Sequence, residues 1–400
     1  MIGVDATSFL VIVGAAAVAA VIATVIAPRL VVPVVVLELL LGILIGPQVA
    51  DIARLDPATH FFGNLGLGML FFFAGYEINF ERIRGRPSEL AALGWLISLG
   101  LAYAFAGILI VGDVIVSDLY TGSALATTAI GTLIPILRDA GELRTRFGTH
   151  LLAAGAAGEF GPILLVTMVL TSRHPFHEAL ILVLFVVLAV FTGVVAVRTS
   201  VRGWPVLERT FETSSQLAVR LAMVLVFGLV ALATQLGLDL LLGGFVAGMI
   251  TRQALRGHER AVFESKLTAV GYGFLIPFFF VTSGMAFDVD ELLTTSTALL
   301  KLPLFVVLFL VVRGIPALLL YRGPLPRLRD RTALAFFCAT ELPLVVAITT
   351  IARAHHDMRA STASALVGAA IISTLVYPLV GLRLRRDRPH EQPARVQPAL

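Results

Sequence analysis

Glu38, Glu77, Glu159, Glu341 and Arg313 stand in stretches of this chain that are otherwise apolar. Glu159 is the most informative, because it lies near the middle of the apolar run 151–170. A carboxylate at bilayer depth costs roughly 2.5–3.5 kcal/mol on insertion scales, so such an acid faces a protein interior or a cavity and does work there. Gly155, Ala156, Ala157, Gly158 and Gly161 surround it, and small residues let neighbouring helices approach closely. The plainer alternative is a structural carboxylate paired with an arginine on another helix. Two further segments join polar groups to helix-breaking residues. Thr127 and Thr128 precede Gly131 and Pro135, while Thr340 and Glu341 precede Pro343. A proline removes a backbone donor and frees a carbonyl one turn earlier. Carbonyls, Thr hydroxyls and a carboxylate are oxygen ligands, which suit a hard cation. Either segment alone is also an ordinary kinked membrane helix. Burial favours the neutral acid, whereas a bound cation or an arginine favours the carboxylate.

The elements that position these groups are membrane helices. Of 400 residues, 58% are hydrophobic and 14% charged, against about 25% charged in a soluble domain. Apolar windows of 18 or more residues recur along the chain. Spans are expected near 9–27, 30–46, 61–79, 89–111, 119–137, 148–171, 178–197, 217–235, 238–251, 268–286, 298–320, 331–352 and 362–382. The net charge of +4 is not gathered on a soluble basic face, so nucleic acid is not an expected partner. One cysteine, Cys338, supports neither a disulfide framework nor a Cys-based metal site. No P-loop is present, so ATP-driven transport has no motif behind it. No pair of histidines has metal-ligand spacing on a membrane helix. The acids are scattered, unlike those of a membrane-embedded enzyme, and no cofactor is implied. The start of the chain lacks a basic n-region, so the first span is expected to be retained.

With the N-terminus outside, the thirteen spans put 24 basic residues inside and 5 outside, Arg313 being the remaining one of 30. This agrees with the positive-inside rule and predicts a cytoplasmic C-terminus. Residues 383–400 then form a polar cytoplasmic tail, expected to be disordered.

Early segments recur about 200 residues later. Residues 37–46 resemble 238–248, residues 71–79 resemble 278–288, and residues 123–135 resemble 332–343. The order is kept, and the offsets of 201, 207 and 209 map the first six spans onto the last six. Equivalent spans are seven apart, and an odd shift reverses orientation. The chain therefore reads as one transmembrane domain, 1–382, with repeat one at about 9–171, a connector helix at about 178–197 and repeat two at about 217–382. Inverted repeats with paired interrupted helices are a transporter architecture, with the binding site at the interruptions. The expected fold is all-α and polytopic, with two inverted six-helix repeats and crossed broken helices.

On several motifs the chain resembles the monovalent cation:proton antiporter superfamily, in particular the antiporter-2 branch of bacterial Na⁺/H⁺ and K⁺/H⁺ exchangers. The motifs are residues 33–47 around Glu38, 73–78 around Gly75 and Glu77, 126–129 with Thr127 and Thr128, and 279–285. The resemblance covers nearly all of 9–382. It implies that Glu159 occupies the place of the family's ion-carrying carboxylate, preceded by Gly158 where the family has Asn or Asp. A single acid there implies electroneutral exchange. Arg313 resembles the family's cationic position near the ion site. It balances Glu159 or, alternatively, forms a structural pair with Glu341, Glu38 or Glu77. Glu341 either ligates the ion or satisfies helix-end amides. Glu38 and Glu77 resemble conserved acids with structural roles. A homodimer in the bacterial plasma membrane is implied by resemblance alone.

The resulting expectation is a secondary transporter exchanging protons for Na⁺ or K⁺ by alternating access, and not an enzyme. Its ligands are Glu159, Thr127, Thr128, Thr340 and Glu341, with no metal beyond the monovalent cation at Glu159. The alternatives are an organic solute or anion transporter, or a channel-like conduit, on the same scaffold.

Overall fold

The computed structural model describes residues 5–26, 33–77, 83–165, 216–236, 240–254 and 257–385, with four isolated positions at 185, 187, 188 and 191. Apart from those four positions, the seventh expected span lies outside them, as do residues 386–400. The described residues are helical with no strand. Seven of their helices are long and apolar enough to cross a membrane. In chain order the helices are α1 (Ala6–Ile26), α2 (Val34–Ile45), α3 (Pro57–Glu77), α4 (Arg86–Val111), α5 (Asp118–Leu125), α6 (Ile130–Asp139) and α7 (Arg146–Leu165). They continue with α8 (Leu217–Gln235), α9 (Leu240–Ala254), α10 (Gly257–Val270), α11 (Ile276–Met285), α12 (Val289–Thr294), α13 (Ser296–Leu320), α14 (Leu328–Cys338), α15 (Pro343–Ala354) and α16 (Ala360–Arg385). A π-helical stretch, Gly271–Leu275, joins α10 to α11 without a break in the helical path.

Two compact units form, and each draws segments from both halves of the sequence. One comprises Met1–Ala20, Glu38–Ile78 and Leu164–Ala286. Its helices meet at glycines. A Cβ on Gly244 would strike the carbonyl of Gly68, and one on Gly284 would strike that of Leu39, so backbones touch where larger side chains would hold them apart. Phe71, Phe72 and Phe73 are buried, as are Phe278, Phe279 and Phe280. Both triplets are therefore core rather than lipid-facing. Glu38 belongs to this unit and is 3% exposed; Glu77 closes α3 there.

The other unit comprises Val21–Leu37, Asn79–Ile163 and Phe287–Leu400. Its core joins Leu90, Ile130, Leu133, Leu137, Phe147, Leu334 and Phe337. Lys301 is buried within α13. Its ammonium donates to the hydroxyls of Ser361 (3.3 Å) and Thr362 (3.0 Å). Arg385 closes α16 against two acids. Its guanidinium bonds both carboxylate oxygens of Glu142 and, at 3.1 Å, Asp330 Oδ1.

The two interrupted helices lie in this second unit. One breaks over residues 126–129, between α5 and α6. The other breaks over 339–342, between α14 and α15. The prolines do not mark the breaks equally. Pro343 opens α15, where its missing N–H would have had no intrahelical partner. Pro135 lies inside α6, and the break falls further upstream than a carbonyl freed one turn before it.

Candidate functional site

The two breaks are tied to each other through their backbones. The amide of Ala129 donates to the carbonyl of Thr340 at 2.8 Å, and that of Thr128 donates to the carbonyl of Gly158 at 2.9 Å. An interrupted helix leaves amides and carbonyls without intrahelical partners, and in an apolar surrounding each must find another. Here the partners are the other break and the helix that carries Glu159. The backbone thus brings residues 127–129, 158–159 and 340–341 together.

The side chains reinforce this crossing. Thr127, Thr128, Thr340 and Glu341 are all at most 1% exposed, and Glu159 is 2% exposed. The Thr127 hydroxyl lies 2.8 Å from Glu341 Oε2 and 3.0 Å from the Ala124 carbonyl. Glu341 Oε1 is buried with no hydrogen-bond partner among the described residues. The backbone of Glu341 is held from α16. Its amide donates to Ser373 Oγ at 3.1 Å, and its carbonyl accepts from Thr374 Oγ1 at 3.0 Å. The N-terminus of α15 follows at Pro343, and the positive end of a helix dipole favours a nearby negative charge.

Arg313, 4% exposed, reaches into the same crossing from α13. Its Nε donates to Thr128 Oγ1 at 2.9 Å, Nη1 to Ser98 Oγ at 3.1 Å, and Nη2 to the Ala154 carbonyl at 3.3 Å. The Thr128 hydroxyl in turn donates to the Cys338 carbonyl. The guanidinium is thus fixed by neutral oxygens from α4, α7 and the first break, and its Nε also lies 3.4 Å from the Cys338 carbonyl at the end of α14. Gly158 makes room for it. A Cβ there would fall within clashing distance of Arg313 Nη2 and only 2.7 Å from Thr128 Oγ1. Gly161, one turn on, faces the indole of Trp95 at similarly close range, and Trp95 Nε1 donates to the Ala126 carbonyl at 3.2 Å. A small cavity lined by Trp95, Ser98, Ala154, Arg313, Tyr321 and Cys338 adjoins the guanidinium.

Of the residues singled out from the sequence, Thr127, Thr128, Thr340, Glu341, Arg313 and Glu159 belong to one compact unit; Glu38 and Glu77 belong to the other. Sequence reasoning missed Ser98, Ser373, Thr374 and Trp95. A lone hydroxyl or indole in an apolar span usually satisfies itself locally, so these gave no signal.

The transmembrane sodium/hydrogen exchanger family model matches residues 16–382. The chain belongs to that family. Membership agrees with the superfamily resemblance read from the motifs. Among curated relatives, the putative Na⁺/H⁺ antiporter YjbQ of Bacillus subtilis is 27% identical over 355 residues, covering 82% of this chain and 55% of YjbQ. The Na⁺/H⁺-K⁺ antiporter GerN of Bacillus cereus is 26% identical over 250 residues, covering 62% of this chain and 63% of GerN. The chain thus spans less than two thirds of the length of these relatives. Among solved structures, the sodium proton antiporter MjNhaP1 of Methanocaldococcus jannaschii superposes with a TM-score of 0.62 at 17% identity, covering 94% of this chain and 95% of that one. The fold is therefore the helical fold that MjNhaP1 adopts.

Proposed function

We propose that the chain is a secondary transporter that exchanges protons for Na⁺ or K⁺ by alternating access, with Glu159 as the carrier. The observation that carries this reading is a buried acid on the helix whose Gly158 carbonyl caps one of two mutually hydrogen-bonded helix breaks. Glu159 binds a proton or a cation and exposes it to one side, then the other. The crossing is forbidden when the carboxylate is empty, because a bare charge in that setting is too costly. Coupling needs nothing more. Thr127, Thr128, Thr340 and Glu341 supply further oxygens around the break. The Na⁺ and K⁺ named for GerN and the family membership support the choice of cations. Exchange is expected to be electroneutral. The positive-inside bias supports a bacterial plasma-membrane protein with its N-terminus outside and C-terminus inside, and the resemblance supports a homodimer.

In everted membrane vesicles, adding Na⁺ or K⁺ should dissipate a respiration-driven pH gradient, and Glu159→Gln should abolish that response. Parent-like exchange by Glu159→Gln would overturn the assignment. Testing several cations with and without a clamped membrane potential would identify the substrate ion.

A further inference from the structure

We propose that Pro162 is a positioning residue of the exchange site. By withholding an amide from α7 it leaves the Gly158 carbonyl to take the amide of Thr128, and so sets where the first helix break begins. This rests on the reading of Glu159 as the carrier with Thr127 and Thr128 among its ligands.

In a regular α-helix the carbonyl of residue i accepts from the amide of residue i+4. The residue at that place for Gly158 is Pro162, which lies inside α7. Proline has no amide proton, and its ring crowds the same carbonyl. A carbonyl freed in this way within an apolar span must find another donor. The donor is Thr128, whose amide lies 2.9 Å away. The two segments approach closely because α7 presents glycines here. A Cβ on Gly155 would lie 2.5 Å from Ile130 Cδ1, and one on Gly158 would lie 2.7 Å from Thr128 Oγ1. Gly155, Gly158 and Pro162 are all buried.

The bond decides where α5 stops. The amides of Ala126 and Thr127 still turn back to the carbonyls of Ser123 (3.3 Å) and Ala124 (3.4 Å). Those of Thr128 and Ala129 leave the helix, for Gly158 and Thr340. Without an outside acceptor the Thr128 amide would return to the Ala124 carbonyl, four residues back, and α5 would run on. Its hydroxyl would then swing away from the Cys338 carbonyl and from Arg313, which hold it now.

The second break is held differently, and the contrast explains the proline. The backbone of Glu341 is bonded by the hydroxyls of Ser373 and Thr374 on α16. A hydroxyl can serve a neighbouring segment without disturbing the carbonyls of its own helix. At position 158 there is no side chain to play that part, so the backbone must. A carbonyl already engaged along its helix offers a newcomer only its second lone pair. Pro162 removes the competing donor.

The test is the cation dependence of exchange in vesicles by Pro162→Ala, which restores the amide. The KM for Na⁺ or K⁺ should rise roughly five- to tenfold, the worth of one backbone hydrogen bond, with the maximal rate within about twofold of the parent. The melting temperature in detergent should hold or rise, because alanine suits a helix interior far better than proline. Lactic acid, the α-hydroxy counterpart of alanine, placed at position 162 by nonsense suppression, carries an ester oxygen instead of the N–H and should restore the parental KM. Pro303→Ala, at an exposed position inside α13, should leave KM unchanged. A parental KM in Pro162→Ala overturns the inference. So does a melting temperature that falls as KM rises, or an ester variant that behaves like alanine. If Glu159→Gln abolishes exchange while Pro162→Ala keeps the parental KM, only this inference falls. If Glu159→Gln itself exchanges normally, the underlying reading falls instead.

Discussion

Replacing Gly158 by alanine tests whether the guanidinium of Arg313 needs that vacant space. The added Cβ would lie 2.7 Å from Thr128 Oγ1 and 2.9 Å from Thr128 Cβ, and closer still to Arg313 Nη2. Carbon contacts settle at about 3.5–4.0 Å, so Thr128 must retreat by about 0.6 Å or more. Thr128 is β-branched and stiff about χ1, and its backbone is pinned to Gly158 itself. The clash with Thr128 is therefore not easily relieved, and Arg313, which is closer still, must move as well. Its bond to Ala154, already 3.3 Å, is lost first, and its bond to Thr128 is strained. Hydrogen bonds to a charged group are worth about 1.5–3 kcal/mol each, and overpacking adds about 1–3 kcal/mol. Against this stands a helix-propensity gain of about 1 kcal/mol for Gly→Ala. The net expectation is a loss of roughly 2–5 kcal/mol. Gly107→Ala is the control, since a Cβ there meets nothing within 4 Å and only the propensity gain applies. Thermal unfolding of both variants in detergent, with exchange measured in vesicles, decides the matter. If Gly158→Ala is as stable as Gly107→Ala and exchanges at the parent rate, Arg313 does not depend on the missing side chain.

Two further expectations concern the ends of helices. Arg385→Met should destabilise the protein by about 3–5 kcal/mol, because it leaves Glu142 and Asp330 near one another without their shared cation; an unchanged melting temperature would refute this. At the start of α1, the Ser8 hydroxyl holds Asp5 below the usual carboxylate value of 3.8. Nearby, the Arg54 guanidinium does the same for Asp51, and the Thr59 amide for Asp56. Carboxylates lowered in the folded state stabilise it above their unfolded value and lose that contribution as the pH falls through the folded one. Melting temperature should thus be level between about pH 5 and 7 and decline below about pH 4, and Asp56→Asn should shrink the decline. An undiminished decline in Asp56→Asn would show that other groups are responsible.

The helical class and the polar contents of both breaks were legible from the sequence, because hydroxyls and acids are conspicuous in apolar runs. Arg313 was legible for the same reason. Of its partners Thr128 was legible too, but Ser98 and the carbonyls of Ala154 and Cys338 have no signature of their own. The register of the breaks was only partly legible. Pro343 coincides with a helix start, but Pro135 sits within α6 and the break lies upstream of it. Lys301 and Arg385 stand near the ends of expected spans, yet both are buried against specific acceptors. A charge near the end of a span gives the same sequence signal whether it meets water or a partner. Gly158 was seen as a departure from the family pattern; its physical meaning needed the position of Arg313.

The bonds between Ala129 and Thr340 and between Thr127 and Glu341 join residues more than 200 positions apart. Chains are synthesised at about 5–20 residues per second, so the first break leaves the ribosome roughly 10–40 s before its partner exists. During that interval its exposed amides and hydroxyls need temporary partners, from water, from α7 or from the insertion machinery, since lipid offers none. The final crossing is therefore assembled late, after most of the polypeptide has entered the bilayer. Truncated nascent chains ending before residue 339 should accordingly leave residues 126–129 open to solvent-borne labels that full-length chains exclude.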